Sequence, residues 1–122
     1  MQQFVIPGRL DALNDLIGAD RANRYKGASM KKKNQQIVAK AIRDAGLRPI
    51  DGMFRVSFTW FEPNRRRDPD NISSGCKFIL DALQEEGIIK GDSQKYVSWP
   101  IIHDGCIDKS NPRIEVLLEE VE

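Results

Sequence analysis

The chain has 122 residues, of which 40% are hydrophobic and 30% are charged. This composition indicates one compact domain and excludes a disordered chain. The longest apolar runs, such as residues 78–80, fall far short of the roughly 20 residues that cross a bilayer, and the first residues lack the apolar core of a signal peptide. We therefore expect a single cytoplasmic domain over residues 1–122, with no membrane partner.

The near balance of 19 basic and 18 acidic residues conceals an uneven distribution of charge. Residues 1–67 hold 14 Lys and Arg against 6 Asp and Glu, whereas residues 68–122 hold 5 against 12. The first part suits polyanions and the second suits metal ions. Cys76 and Cys106 form neither a disulfide framework nor, with the lone His103, a zinc site, so we expect buried free thiols and a structural histidine.

The first half of the chain predicts a strand followed by two helical segments. A short apolar run at residues 4–6 precedes the turn signal Pro7-Gly8 and indicates an opening strand. Apolar residues recur at helical spacing over residues 10–17, and a second helical segment extends from about Met30 to Gly46. We expect the two helices to form a hairpin or a bent pair.

The second half predicts three strands and one helix. Apolar and polar residues alternate strictly from Phe54 to Trp60, which is typical of a half-buried strand. A helix follows over residues 72–86 and ends at Gly87. Strands are expected over residues 97–103, where Pro100 indicates an edge or a bulge, and over residues 113–119. The fold class is therefore α+β, with a small mixed β-sheet covered by helices on one face and short antiparallel connections late in the chain.

Two carboxylates, Asp68 and Asp70, lie two residues apart at the junction between a strand and a helix, directly after three arginines. In an extended or turn segment such side chains point the same way and can share a hard divalent cation. The alternative is that Asp70 or Asn71 caps the helix while Asp68 pairs with an arginine. The EF-hand pattern does not fit, because Ile72 takes a ligand position.

The helical spacing of residues 72–86 gives a second indication. On a continuous helix, Ser74, Lys77 and Asp81 align with Asp70, opposite the apolar residues. The alternative here is a solvated ion pair between Lys77 and Asp81. A third acid for a metal site is Asp92, which a turn after Gly87 can bring back toward the strand end, although Gly91-Asp92 alone is also an ordinary turn.

Taken together, these residues resemble the RusA-type Holliday-junction resolvases. The resemblance covers about residues 65–97 and depends on RRRDPDN at residues 65–71, on KFILDAL at residues 77–83, on Gly87 and on Asp92. The interval between Asn71 and Lys77 is three residues longer than in the best-known members, which indicates a different helix start or an added turn. Gly91 stands where the family often has a first aspartate.

The resemblance implies a homodimeric, Mg2+-dependent endonuclease, commonly phage-derived, that nicks four-way DNA junctions symmetrically. It implies catalytic roles for Asp68, Asp70, Lys77 and Asp92, with the three aspartates as ligands of Mg2+, or of Mn2+ in its place. Such chemistry is consistent with the residues themselves, because phosphodiester hydrolysis needs an activated water and positive charge beside the reacting phosphate. Symmetric cutting of two strands of a junction requires two sites related by a two-fold axis, so we expect a C2 homodimer.

The expected DNA contacts lie on the basic first half of the chain. The predicted nucleic-acid-binding residues are Arg65, Arg66, Arg67, Asn14, Arg24, Lys26, Lys31, Lys32 and Lys33. A run of lysines is also typical of a merely solvated face. Two other functions remain as alternatives: a non-catalytic module that binds branched DNA, and a nucleotidyl or glycosyl transferase with an Asp-x-Asp metal site. A transferase needs a phosphate-binding loop, and the sequence has no Gly-rich motif of that kind.

Overall fold

A computed structural model describes residues 1–121 and shows four strands and four helical segments in that part of the chain. In chain order they are β1 (Gln2–Pro7), α1 (Leu13–Ala22), α2 (Arg24–Ala45), β2 (Phe54–Glu62), α3 (Pro69–Ser73), α4 (Cys76–Glu85), β3 (Ile102–Ile107) and β4 (Arg113–Glu120). Within residues 1–121, no helix has both the length and the apolar character needed to cross a membrane.

The strands form one mixed sheet in the order β1-β4-β2-β3. Strand β4 pairs antiparallel with β1 and β2, and β2 pairs parallel with β3. The predicted α+β class with a small mixed sheet is therefore confirmed. Late in the chain a short connection joins β3 to the antiparallel strand β4, although β2 lies between these two strands in the sheet. The connection from β2 to β3 is long, as parallel pairing requires.

One face of the sheet forms the core. The alternation that predicted β2 is observed, since Phe54, Val56 and Phe58 are fully buried while Arg55 between them is exposed. Because a strand presents successive side chains to opposite faces, this pattern buries one face against helices. The buried residues that α2, α4 and β4 bring to the same core are Val38, Ile42, Ile79, Leu83, Ile114, Val116 and Leu118. Helices therefore cover one face, as expected.

The two N-terminal helices meet at a single residue, Asn23. This residue ends α1 and caps α2, where its side-chain oxygen accepts a hydrogen bond from the Lys26 N–H at 2.7 Å. The predicted start of the second helix at Met30 was therefore late by about two turns. The chain before α1 is held by Asn34 of α2, which is 1% exposed and hydrogen bonds both Asp11 and the Met30 carbonyl.

The predicted helix over residues 72–86 is interrupted. Segment α3 ends at Ser73 and α4 begins at Cys76, while Ser74 Oγ donates to the Asn71 carbonyl at 2.7 Å. Gly75 lies against the indole of Trp60, where a Cβ would be 3.2 Å from the ring. At this point the backbone tightens into i→i−3 hydrogen bonds, from Gly75 to Ile72 and from Lys77 to Ser74. This added turn occupies the long interval between Asn71 and Lys77.

Strand β3 also differs from its prediction. Val97 forms only an isolated bridge to Phe54, and the strand itself begins at Ile102, beyond Pro100. All six of its residues are exposed, because β3 is an edge strand that the helices leave uncovered. The expectation of buried thiols is consequently wrong for Cys106, which lies on β3. Cys76 is half-buried, and burial raises the pKa of its thiol.

Candidate active site

The loop between β2 and α3 presents two carboxylates to solvent. Asp68 is the N-cap residue of α3 in an extended conformation, and Pro69 opens the helix with its fixed φ. The Asp68 side chain makes no capping hydrogen bond. Asp70 follows within the first turn, where its Oδ1 accepts a hydrogen bond from the N–H of Asn71 at 3.0 Å. Both side chains are exposed.

Neither carboxylate pairs with a lysine or an arginine within residues 1–121. The simple structural alternative, in which Asp68 neutralises one of the arginines beside it, is therefore not observed. Two like charges close in sequence repel each other when no cation lies between them. The loop thus holds two carboxylates that are open to a positively charged ligand.

The three arginines that precede Asp68 have different surroundings. Arg67 donates from Nη1 to the Leu10 carbonyl at 2.9 Å, and its Nη2 lies 3.8 Å from Asp15 Oδ2. This side chain therefore fastens the loop to the segment before α1. Arg65 and Arg66 are exposed, and their side chains form no hydrogen bond or ion pair within residues 1–121. Their guanidinium groups are available to phosphates.

The amide of Asn71 joins α3 to α1. Its Oδ1 accepts a hydrogen bond from the backbone N–H of Asn14 at 3.2 Å. The predicted DNA contact Asn14 thus lies next to the loop that bears Asp68 and Asp70, while its own side chain is exposed. The sequence assigned Asn71 only to helix capping, and the link to α1 depends on tertiary structure that the sequence did not show.

The ammonium of Lys77 lies between two aspartates. Lys77 Nζ is 2.9 Å from Asp92 Oδ2 and 3.0 Å from Asp81 Oδ1. The hydrogen bonds to Asp92 and then to Asp81 raise the pKa of Lys77, so the side chain is cationic at neutral pH. The ion pair with Asp81 is the alternative that the sequence left open for Lys77, and the contact with Asp92 was not predicted, since Asp92 was expected beside the strand end that bears Asp68.

Asp92 is positioned by a turn that requires two glycines. Gly87 has a φ of 75° and ends α4, which returns the chain toward the sheet. Gly91 is buried beneath the ring of Tyr96, where a Cβ would lie 2.8 Å from Cδ2. Because only a glycine avoids this contact, the position before Asp92 cannot carry a side chain without displacing the ring.

We predict that Gly91→Ala destabilises the fold by about 1–3 kcal/mol, because the added methyl group overpacks against Tyr96. Unfolding by urea, followed by circular dichroism, measures the change in the free energy of unfolding. Gly52→Ala is the matched control, since a Cβ at Gly52 meets nothing within 4 Å. Equal stabilities for the two variants would contradict a packing role for Gly91.

The chemistry of the predicted metal ligands fits Mg2+, which prefers carboxylate oxygens. Their arrangement is open: within residues 1–121 no three His, Cys, Asp or Glu side chains form a group that could hold a metal ion. Asp68 and Asp70 lie on the loop, whereas Asp92 is occupied by Lys77. Within residues 1–121 the three predicted ligands are therefore not assembled into one site, and their shared coordination of Mg2+ stays a prediction.

The predicted basic contacts divide into two groups along α2. Lys31 lines a small cavity of about 220 Å³ together with Ser74, Lys77 and Asp81, so it lies beside the cluster that Lys77 forms with its two aspartates. Lys32 and Lys33 are exposed on the same stretch, and Lys33 approaches Asp11 at 3.8 Å. Two further predicted contacts lie at the beginning of α2: Arg24, whose guanidinium lies over the Tyr25 ring, and the exposed Lys26.

A larger cavity that the sequence did not predict lies between β3 and α3. Its volume is about 740 Å³, and Trp60, His103, Arg65 and Arg67 contribute to its lining. The indole N–H of Trp60 donates to His103 Nδ1 at 3.1 Å, which leaves the imidazole proton on Nε2. Burial lowers the pKa of His103, so the ring is neutral at pH 7. The expected structural role of His103 agrees with this hydrogen bond.

Comparisons with protein-family models and with curated proteins gave no match for this chain. The case for a function therefore depends on the motif residues and on their geometry. Of the predicted catalytic residues, the structure joins Lys77 to Asp92 and places Asp68 and Asp70 together on the neighbouring loop. It also adds Asp81, which the sequence left without a functional role.

Proposed function

We propose that this chain is a Mg2+-dependent endodeoxyribonuclease of the RusA type, of phage or prophage origin, that resolves four-way DNA junctions by symmetric nicking in recombination and repair. One observation supports this most directly: two exposed carboxylates without a cationic partner stand beside two arginines without an anionic partner. Asp68 and Asp70 supply the first pair, and Arg65 and Arg66 the second.

This arrangement of charges would lower the DNA affinity of a protein that only binds DNA. Carboxylates beside phosphate-binding arginines weaken the attraction to a polyanion unless a cation neutralises them. The separation of acids from bases therefore supports joint use of a metal ion and a phosphate, as phosphodiester hydrolysis requires.

In this proposal Asp68, Asp70 and Asp92 hold Mg2+, and Mn2+ can replace it. An ion held there would supply an activated water and would offset the charge that develops on the phosphate. Lys77 keeps a positive charge beside the reacting group, and Arg65 and Arg66 hold the flanking phosphates. Arg67 keeps the loop in place through the Leu10 carbonyl. Contacts to phosphates carry no base information, which suits recognition of a branch rather than a sequence.

The remaining basic residues extend this surface along α2. Lys31 lies next to the cluster of Lys77 and Asp81, and we assign it to a phosphate close to the cut strand. We assign a phosphate beside this loop to Asn14, and outer phosphates of the branched DNA to Arg24, Lys26, Lys32 and Lys33. In this proposal, these five residues contribute to affinity and not to the chemical step.

The proposal also includes a C2 homodimer, because symmetric resolution needs two sites related by a two-fold axis. We place its interface at β3. This strand is hydrogen-bonded on one side only, is exposed along its whole length and carries one formal charge, on Asp104. Edge strands of monomeric proteins are usually protected by charges or by cover, and β3 has little of either.

Incubation of the purified protein with labelled four-way junction, linear duplex and single-stranded DNA, with and without Mg2+, tests the proposal. We expect paired symmetric cuts in the junction only, and only with Mg2+. Cleavage of all three substrates would indicate a general nuclease. Binding of the junction without cleavage under any condition would indicate a binding module and contradict the proposed activity. A transferase would leave all three DNAs uncut and unbound.

The free arginines give a separate prediction. We expect Arg65→Ala combined with Arg66→Ala to weaken junction binding and to lower the slope of log affinity against log salt by about 0.9 per lost phosphate contact. Fluorescence anisotropy over a series of salt concentrations measures both. Lys40→Ala is the control, because Lys40 is exposed on α2 but paired with Asp44 at 2.7 Å. An unchanged slope in the double variant would show that the arginines are only solvated.

A further inference from the structure

The larger cavity, between β3 and α3, lies on the face of the sheet that the helices cover elsewhere. Phe58 is paired with His103 across the two parallel strands, and Trp60 is paired with Gly105, so these four residues share that face. Phe58 and Trp60 are buried, whereas His103 and Gly105 on the edge strand are exposed. The cavity is therefore an uncovered continuation of the aromatic part of the core.

Three nearly parallel rings lie beside this cavity. The His103 ring is 5.0 Å from the Phe58 ring at an interplanar angle of 11°, and 6.0 Å from the Trp60 ring at 15°. The hydrogen bond from the Trp60 indole holds the imidazole in this orientation. Gly105 follows on the same face of β3, and a Cβ there would meet nothing within 4 Å. A flat ring of a ligand thus has open space next to His103, over the backbone of Gly105.

The polar side chains that line the cavity offer mainly hydrogen-bond donors. His103 Nε2 carries the imidazole proton and has no partner within residues 1–121. Asn64 Oδ1 accepts a hydrogen bond from the Arg66 N–H at 3.0 Å, which leaves the amide NH2 group of Asn64 for a ligand. The guanidinium of Arg65 adds a positive charge to the same lining.

The two acids in the lining do not reverse this character. Glu62 is 7% exposed, and Arg9 holds its Oε1 at 2.6 Å and its Oε2 at 3.3 Å. Asp104 stands between His103 and Gly105 in β3, so the alternation of the strand directs its carboxylate to the opposite face. The cavity therefore suits a ligand that has a flat π face, hydrogen-bond acceptors and a negative charge.

We propose that this cavity binds one unpaired nucleotide of the DNA, with its base stacked beside His103 over Gly105 and its phosphate on Arg65. The volume of about 740 Å³ lies within the range of about 300–1,000 Å³ that small-ligand sites occupy. The inference rests on the proposed function, because that function supplies DNA as the ligand. It names the feature of the branched substrate that the protein recognises: a base outside the duplex, which enters a pocket at the least cost.

Binding in the presence of EDTA tests the inference separately from metal-dependent cleavage. The probes are a labelled single strand of about 12 nucleotides with mixed sequence and an abasic strand with the same number of phosphates. We expect the wild type to prefer the strand with bases by between about fivefold and a hundredfold, because stacking of one base on an aromatic side chain contributes that much to affinity. Fluorescence anisotropy measures both dissociation constants.

Gly105→Tyr fills the proposed site with a ring of the protein's own. We expect this variant to bind both strands with the affinity that the wild type has for the abasic strand. Its slope of log affinity against log salt should equal that of the wild type, because no phosphate contact is lost. Gly52→Tyr is the matched control: a Cβ at Gly52 also meets nothing within 4 Å, but Gly52 does not line the cavity. Circular dichroism establishes that both variants are folded.

Equal binding of the two strands by the wild type, or an undiminished preference for bases in Gly105→Tyr, would overturn the inference and leave the proposed nuclease standing. Loss of the dimer with an undiminished preference would assign the cavity to a contact between two copies of the chain. Free deoxynucleoside monophosphates that bind as tightly as the whole strand would make it a site for free nucleotides instead. If the wild type binds neither strand and no four-way junction, both the inference and the proposed function are wrong.

Discussion

Replacing Asp70 by asparagine should reduce Mg2+-dependent cleavage of a four-way junction by about a thousandfold. A metal ion supplies several kcal/mol of stabilisation to the reacting phosphate, and each 1.36 kcal/mol is a tenfold change in rate. Asparagine removes the charged ligand at this position. Single-turnover cleavage of labelled junction, with the substrate fully bound, measures the chemical step independently of affinity.

The same variant should bind the junction as tightly as the wild type or more tightly, because a negative charge beside the arginines is lost. Its fold should be retained. The Oδ1 of asparagine can still accept the hydrogen bond from the Asn71 N–H, and loss of an exposed acid near a helix N-terminus costs about 0.3–1 kcal/mol.

The matched control for Asp70→Asn is Asp51→Asn. The Asp51 side chain is 93% exposed, and its nearest cationic partner, Lys90, lies 3.9 Å away. This variant removes one carboxylate from the protein without touching the loop after β2, so its cleavage rate should equal that of the wild type. Rapid Mg2+-dependent cleavage by folded Asp70→Asn would remove Asp70 from the proposed site.

Periodicity predicted the parts of the fold that depend on a single buried face. The alternation from Phe54 to Trp60 identified β2, because half of its side chains enter the core and half do not. Strand β3 has no such contrast, since both of its faces are exposed, and its bounds were consequently missed. A pattern of burial can be read from the sequence only where burial differs between positions.

The break between α3 and α4 illustrates a second kind of limit. Residues 69–86 have a composition compatible with one helix, and nothing local requires an interruption at Gly75. At the break, Gly75 lies against the Trp60 indole of β2, where a Cβ would be 3.2 Å from the ring. The unusual length of the interval between Asn71 and Lys77 indicated that the lead-in to the helix differs, but it did not give the position or the cause.

The candidate site was partly predictable for a similar reason. The spacing of Lys77 and Asp81 on one helix offered their ion pair as one of two interpretations, and the pair is observed at 3.0 Å. The turn after Gly87 was expected to bring Asp92 toward the strand end that bears Asp68, whereas the contact observed is the one with Lys77 at 2.9 Å. The difference between Arg67 and its two neighbours was not predictable, because it depends on the Leu10 carbonyl, 57 positions earlier in the chain.

The choice of β3 for the dimer interface follows from which apolar residues stay exposed. Leu10 is buried and cannot contribute, whereas Trp99 and Ile102 are 65% and 50% exposed. Ile107 at the other end of β3 is 48% exposed. Because these residues border a free strand edge, a second copy can bury them while its backbone completes the hydrogen bonds of β3.

We therefore expect Ile102→Lys combined with Ile107→Lys to give a monomer at concentrations where the wild type sediments as a dimer, because the two charges would be buried at the paired edge. Val5→Lys is the control: Val5 is 45% exposed on β1, the opposite edge of the sheet, and its substitution should leave the dimer intact.

In cleavage assays, dimers mixed from wild-type and Asp70→Asn chains should nick one strand of a junction without resolving it. A wild-type protein that sediments as a monomer at assay concentration, yet makes paired symmetric cuts, would refute the dimer, and loss of the dimer in Val5→Lys alone would move its interface to β1.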